Sequence, residues 1–503
     1  MAPHPAVRAV PRRVEHLLRE TPVTVSERAP RAVLLVCLAT GFVTLLDSAI
    51  LTVAAPALRA ELGATTAQLQ WILAGYSLTF GLALVPAGRL GDRLGRRGPL
   101  AVGLGLFGAA SLVGATASDA DVLVVARLLQ GVGAGIANPQ VIGLLQDHYL
   151  GPARARALGA YASTGAFGMV LSPLVGGGIL SAVGPDAGWR VAVGIAAPLG
   201  LTVAVVALRA LRPGAVGDGE SRSRGGRVGA GFDVVGLALV TLVTLGLLVP
   251  FVAEGPRAVV LPVSLGVLVA AVVTLVVWEP RYARRGRAPV LAPALLRSPT
   301  YVLGCVVAAF SFGAALGYSA VLMLFLQDGA GLSPVQAGLV TTPGAIASVV
   351  AANLSWRLFR RYGRRGVTVV VGSKALVAAG TALAVAVAPT STVVAVLVVS
   401  QVLTGAVAGL TISPNQTLTL EGAPGTERGV AGAALQLVQR VAATVCIAAM
   451  TGTFVGRTDG AVPGVLDAHR DGLVVVSAAV AALALVAWAA SFLDERLARP
   501  TPR

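Results

Sequence analysis

Charge is what this chain has least of. Asp, Glu, Lys and Arg make up 12% of its 503 residues, about half the roughly 25% usual in soluble domains. With 55% hydrophobic residues and a mean hydropathy of +0.81, a water-soluble body is excluded. Cysteine is scarce as well. Cys37, Cys305 and Cys446 each lie inside an apolar run, in no CxxC or Cys/His spacing, so they read as small core residues and not as a redox pair or zinc site. The four histidines, His4, His16, His148 and His469, fall in polar segments, and neither a metal cluster nor a Ser/His/Asp set can be assembled within the apolar runs. No metal or cofactor is expected. A membrane enzyme lacks its charged interfacial cluster, and a receptor lacks a soluble sensor domain. Lysine is nearly missing too, Lys374 being the single one among 39 basic residues. The net charge of +16 does not point to nucleic acid, because the arginines sit in short clusters between apolar runs instead of on one basic domain.

What the chain does have is apolar segments of about 20 residues, the length that crosses a bilayer. They recur fourteen times. The cationic N-terminus precedes an apolar run too long for a signal-peptide core, so an uncleaved first helix is expected. With the N-terminus cytosolic, 31 of the 39 basic residues fall in cytosolic segments and five outside, as the positive-inside rule requires. Both termini are then cytosolic, and the protein is a multi-pass protein of the cell membrane.

An internal repeat divides the chain. "GRLGDRLGRRG" from Gly88 matches "WRLFRRYGRRG" from Trp356, an offset of 268 that also carries Cys37 onto Cys305 and Phe42 onto Phe310. With a small shift, "RLLQGVGAGI" from Arg127 matches "QVLTGAVAGL" from Gln401. The expected organisation is a tail (1–31), a six-helix half (32–208), linkers with two inserted helices (209–300), a second six-helix half (301–493) and a short tail (494–503). Duplicated halves around a midplane site are the plan of alternating-access carriers.

Four motifs carry a family resemblance: the loop Gly88 to Arg97, "LDSAILTVAAPAL" in the first helix, "RLLQGVGAGI" in the fourth and "GMVLSPLVGGG" (Gly168 to Gly178) in the fifth. With them the chain resembles the major facilitator superfamily, and within it the fourteen-helix drug:proton antiporters, including antibiotic self-resistance exporters of the puromycin and methylenomycin type. Two positions depart from the pattern: Thr52 stands where asparagine is usual, and Ser172 where glycine precedes proline. The resemblance implies an all-α integral membrane protein of two six-helix halves plus two inserted helices. It would work as a monomer that exports amphipathic or cationic drugs or antibiotics against protons. Export of an endogenous metabolite, amino acid or lipid precursor is the alternative that the same motifs allow.

In the loop, Gly88 and Gly91 would let helices approach and Gly95 would permit a tight turn. The resemblance implies a state-dependent latch of Gly88, Asp92, Arg93 and Arg97, with Asp92 capping a helix that begins near Val430. The alternative is an orientation signal with a local Asp92–Arg96 pair. Arg360 replaces Asp92 in the second copy. Gly168, Ser172 and Gly176, beside Pro173 and Gly177, form a small-residue ridge, which the resemblance makes a seal and hinge between the halves; tight packing without a hinge is the alternative. Asp47, Arg127 and Arg440 lie well inside spans, where a charge costs at least about 2.5 kcal/mol. Asp47, with Arg127 beside it, is the candidate proton carrier, and a fixed structural pair is the other reading. Arg440 either lines the cavity or snorkels. Gln130, Asn138, Gln140, Tyr318, Gln401 and Asn415 are further candidates for the substrate cavity.

The orientation is testable by cysteine labelling. Ser26→Cys should react with an impermeant thiol reagent only from the cytosolic side, and Gly460→Cys only from outside. The reverse for either position would mean that the helix count is wrong.

Overall fold

A computed structural model describes residues 28–211, 233–253, 255–287, 289–424, 428–458 and 465–498. Most of the N-terminal tail, all of the Arg212–Gly231 linker, and Gly460 lie outside the described residues. Among those described, helices and turns account for the regular structure and no strand occurs. Twelve helices are long and apolar enough to cross a membrane.

The first half holds α1 (Arg28–Glu61), α2 (Thr66–Leu94), α3 (Arg97–Ala115), α4 (Ala120–His148), α5 (Gly151–Val183), α6 (Pro185–Gly194) and α7 (Ala196–Ala210). An inserted hairpin follows, α8 (Val234–Val252) and α9 (Arg257–Arg284), then the short α10 (Pro293–Leu296). The second half holds α11 (Pro299–Leu324), α12 (Pro334–Val387), α13 (Val393–Glu421), α14 (Arg428–Thr458) and α15 (Leu466–Leu497). At 54 residues a straight α12 would run about 80 Å, far beyond a hydrocarbon core of about 30 Å. It bends at Gly363, whose φ of 55° lies in the left-handed region, so two helices meet there.

The repeat is visible in the backbone. Gly95, with φ 81°, and Gly363 are 268 residues apart and turn equivalent loops. The same offset relates two capping boxes, Thr65 with Gln68 and Ser333 with Gln336, each satisfying orphan amides at the start of a helix. It also relates Arg96, which holds Asp147 at 2.6 Å, to Arg364, which holds Asp494.

The halves meet where α2 packs on α14 and α5 on α12, while the hairpin leans on α14 and α2. The largest apolar cluster draws on both halves, with Ile50, Val53 and Leu69 against Phe325, Phe454 and Leu473. It lies toward the face opposite the arginine-rich loops. Toward the basic face, Val36, Leu104 and Val141 belong to a cluster within the first half and Leu295, Tyr301 and Leu435 to one around the second, while a small cluster of Val85, Val240, Val290 and Leu437 joins the halves through the hairpin.

Gly363→Ala should destabilise the protein by about 1–2 kcal/mol, the cost of a left-handed conformation for a residue with a Cβ. Gly380, in a helix with open space at its Cβ position, should accept alanine without loss. Thermal unfolding of the two variants in detergent compares them directly; equal transitions would remove the strain argument.

Candidate functional site

The candidate residues are placed where α1 and α4 meet near the middle of their spans. α4 begins at Asp119, whose carboxylate accepts from Val122 N at 2.9 Å and is held below the ordinary carboxyl range chiefly by that bond. Two turns on, Arg127 and Gln130 are three residues apart and share a face. Asp47 of α1 meets both. Arg127 Nη1 donates to Asp47 Oδ2 at 2.8 Å and to Gln130 Oε1 at 2.6 Å, while Gln130 Nε2 donates to Asp47 Oδ1 at 3.0 Å. All three are at most 3% exposed. Arg127 Nε also reaches Ile72 O at 3.4 Å, and its guanidinium stands 4.6 Å from the Tyr76 ring centroid. The closed ring leaves both charges paired and both carboxylate oxygens bonded, the condition under which a buried pair is tolerated. Tyr76 gave no sign of its part in the sequence, because a tyrosine in an apolar run looks like packing.

The second half lacks this device. The 268 offset places Ala315 opposite Asp47, and the motif match places Gln401 opposite Arg127. Gln401 Oε1 has no partner among the described residues.

Several expected cavity residues belong elsewhere. Gln130 is part of the ion-pair ring. Gln140, 0% exposed, donates to Ala87 O at 2.8 Å and fills the space over Gly91, stapling α4 to α2. Asn415 donates to Gly304 O at 3.2 Å inside the second half, and Tyr318 is buried in the cluster shared by the halves. The amide nitrogens of Gln140 and Asn415 are spent on backbone carbonyls, and the buried Tyr318 hydroxyl has no hydrogen-bond partner among the described residues. Asn138 and Arg440 remain partly exposed. Asn138 donates to Tyr161 Oη at 3.0 Å, and Arg440 lies over the rings of Phe80 and Phe312.

The stretch Gly88–Arg97, expected as a loop, is mostly helix: Gly88–Leu94 ends α2 and Arg97 opens α3, with only Gly95 and Arg96 between. Asp92 is exposed and pairs with Arg96 at 3.1 Å instead of capping the helix of Val430. This local pair is the alternative that the sequence offered, and Arg96 is its hub: it also binds Asp147 and lies across Gly143. Arg93 is exposed, and Arg97 donates to Leu208 O. Close approach occurs at Gly91, where an added Cβ would collide with Gln140; at Gly88 it would meet Pro139 Cβ at an ordinary 3.7 Å. Arg89 donates to Pro289 O at 2.6 Å, tying the loop to the segment after the hairpin.

The fifth-helix ridge faces its own half. Gly168 lies against Phe42 O, Gly176 against Ile50 and Val53, and Ser172 Oγ donates to Leu46 O at 3.1 Å. The contacts to the other half come from the adjoining Pro173 and Gly177: a Cβ on Gly338 would lie 2.8 Å from Pro173 O, and one on Gly177 2.7 Å from Pro334 O. The spacing fixed a face of small residues, and the neighbour on that face is α1.

Residues 37–447 match the sequence pattern of the Major Facilitator Superfamily. The chain belongs to that superfamily. Among Major Facilitator relatives, the "Probable actinorhodin transporter" of Streptomyces coelicolor is 37% identical over 66% of this chain and 57% of its own length, so the match spans less than three fifths of that protein. The "Methylenomycin A resistance protein" of the same organism is 31% identical over 86% of this chain and 87% of its own. A crystal structure described as a bacterial homolog of the human lysosomal transporter Spinster superposes with a TM-score of 0.67 at 18% identity, covering 95% of this chain and 100% of that one; this likeness shows the fold alone.

The ring should behave as a unit. Arg127→Met alone should cost about 3–5 kcal/mol by stranding a buried carboxylate, whereas the double variant Asp47→Leu/Arg127→Met should recover most of that loss. Additive effects in a double-mutant cycle of unfolding would show that the pair is not coupled.

Proposed function

We propose that the protein is a proton-coupled exporter of small organic compounds, antibiotics among them, working by alternating access. Two spans are added to the twelve in this reading: α12 counts as two, and α5, whose described apolar stretch is 171–183, counts as one more. The total is fourteen. The arginine-rich face is cytosolic and carries both termini, and the joined cluster at the opposite face makes this a state closed to the outside. The resistance and transport functions in the printed names of the two Streptomyces relatives favour export of an antibiotic.

The observation that carries the reading is the Asp47–Arg127–Gln130 ring at mid-depth of one half. A gradient-driven carrier needs a group whose charged and neutral forms favour different states. Protonation of Asp47 removes the negative partner of Arg127 and converts one acceptor oxygen into a donor, so the ring cannot keep its present bonds. The Asp92 contact with the helix of Val430 belongs, in this reading, to the opposite state. Here the loop is held by Arg96 instead.

Asp47→Asn should abolish gradient-driven accumulation in inside-out vesicles, removing the about 50-fold that one proton contributes per 100 mV, while downhill exchange persists. Full uphill transport by Asp47→Asn would move the proton site elsewhere. Resistance to particular drugs on heterologous expression separates antibiotic export from export of an endogenous metabolite.

A further inference from the structure

Asp47, Arg127 and Arg440 lie near the middle of their spans, and the first two neutralise each other. Lys374 sits nearer the basic end of its helix. Arg440 is left as the net charge of the seam. It projects from α14 of the second half toward α2 of the first, its Cβ packed over Gly81. Its guanidinium lies 4.0 Å from the Phe80 centroid and 5.4 Å from that of Phe312. Phe80 belongs to the first half and Phe312 to the second, so the cation stands between them.

No ion pair or side-chain hydrogen bond engages this guanidinium among the described residues, and the residue is partly exposed. The charged or titratable groups within its electrostatic range are Tyr76 and Tyr161, which are hydroxyls and not carboxylates. Rings can cover the faces of a guanidinium, but its five N–H donors point outward along its edge. Those donors have no acceptor among the described residues, and an unpaired cation at this depth is costly. An anion reaching the exposed part of the guanidinium would relieve that cost, and its aromatic frame would find Phe80 and Phe312 alongside.

We propose that the transported compounds carry an anionic group, a carboxylate or acidic phenol, on an aromatic or conjugated frame, and that Arg440 receives it between the halves. This rests on the export reading above and reverses the cationic preference expected from family resemblance: a cation entering the seam meets like charge. Arg440 is then a specificity-determining residue.

Binding of a matched fluorescent pair, anthracene-9-carboxylate and 9-anthracenemethylamine, to the full chain in nanodiscs tests this without any gradient. The carboxylate should bind saturably and at least about tenfold more tightly than the amine, equivalent to about 1.4 kcal/mol. Arg440→Gln should erase that preference, and Arg440→Lys should retain part of it. Both variants should elute and unfold like the parent protein. Equal binding of the two probes, preference for the amine, no saturable binding of the carboxylate, or an unchanged preference in Arg440→Gln would each overturn the proposal. A purely structural cation–π contact would lower the affinity for both probes alike and leave their ratio intact, which also counts against it. Carboxylate binding with the expected ratio but no gradient-driven uptake would support the site and count against proton coupling.

Discussion

A charge in hydrocarbon must find a partner or stay near water, and this single constraint arranges most of the molecule. Arginines that have no business in the bilayer collect at one face, where Arg96 and Arg364 hold carboxylates at helix ends and Arg89 takes a carbonyl. Charges that do enter are handled in two different ways. Asp47 and Arg127 close a neutral ring with Gln130 inside one half. Arg440 has only aromatic faces for company, and stands where the halves come together.

Close backbone approach is the second organising element, and it joins the ring to the seam. Ser172 donates to the carbonyl of Leu46, the residue before Asp47. Its neighbour Pro173 lies against Gly338 of the other half. α1 at the ring is thus joined to α5 through one hydrogen bond and a row of small residues, and α5 to α12 through contacts too tight for a side chain. The ridge serves the first half's interior and the seam at once.

Asp47 and Arg127 were legible because an ionisable residue inside an apolar run has few innocent explanations, and two on helices that share a cavity invite pairing. The halves were legible in their arginine loops. The two capping boxes, 268 residues apart, were equally readable as Thr-x-x-Gln and Ser-x-x-Gln, and would have strengthened the repeat. The amides were not legible. Gln140 and Asn415 satisfy themselves on backbone carbonyls of Ala87 and Gly304, and a carbonyl leaves no trace in a sequence that tells which side chain it will accept. The direction of the small-residue ridge was hidden for a related reason, since spacing defines a face and says nothing about who faces it. Asp92 pairs with Arg96, four residues on along the chain, a pairing that spacing alone makes readable.

The duplication is broken at one telling place, with Ala315 and Gln401 where the first half has Asp47 and Arg127. A proton-coupled exporter with one such carboxylate, as proposed above, would take one proton per turn at that depth. If the passenger leaving the cell is a monoanion, proton entry and anion exit move charge in the same electrical sense, so each cycle transfers two charges. The membrane potential then counts twice in the driving force and the pH difference once. Such an exporter would keep working in cells whose internal and external pH are equal, so long as the membrane stays polarised.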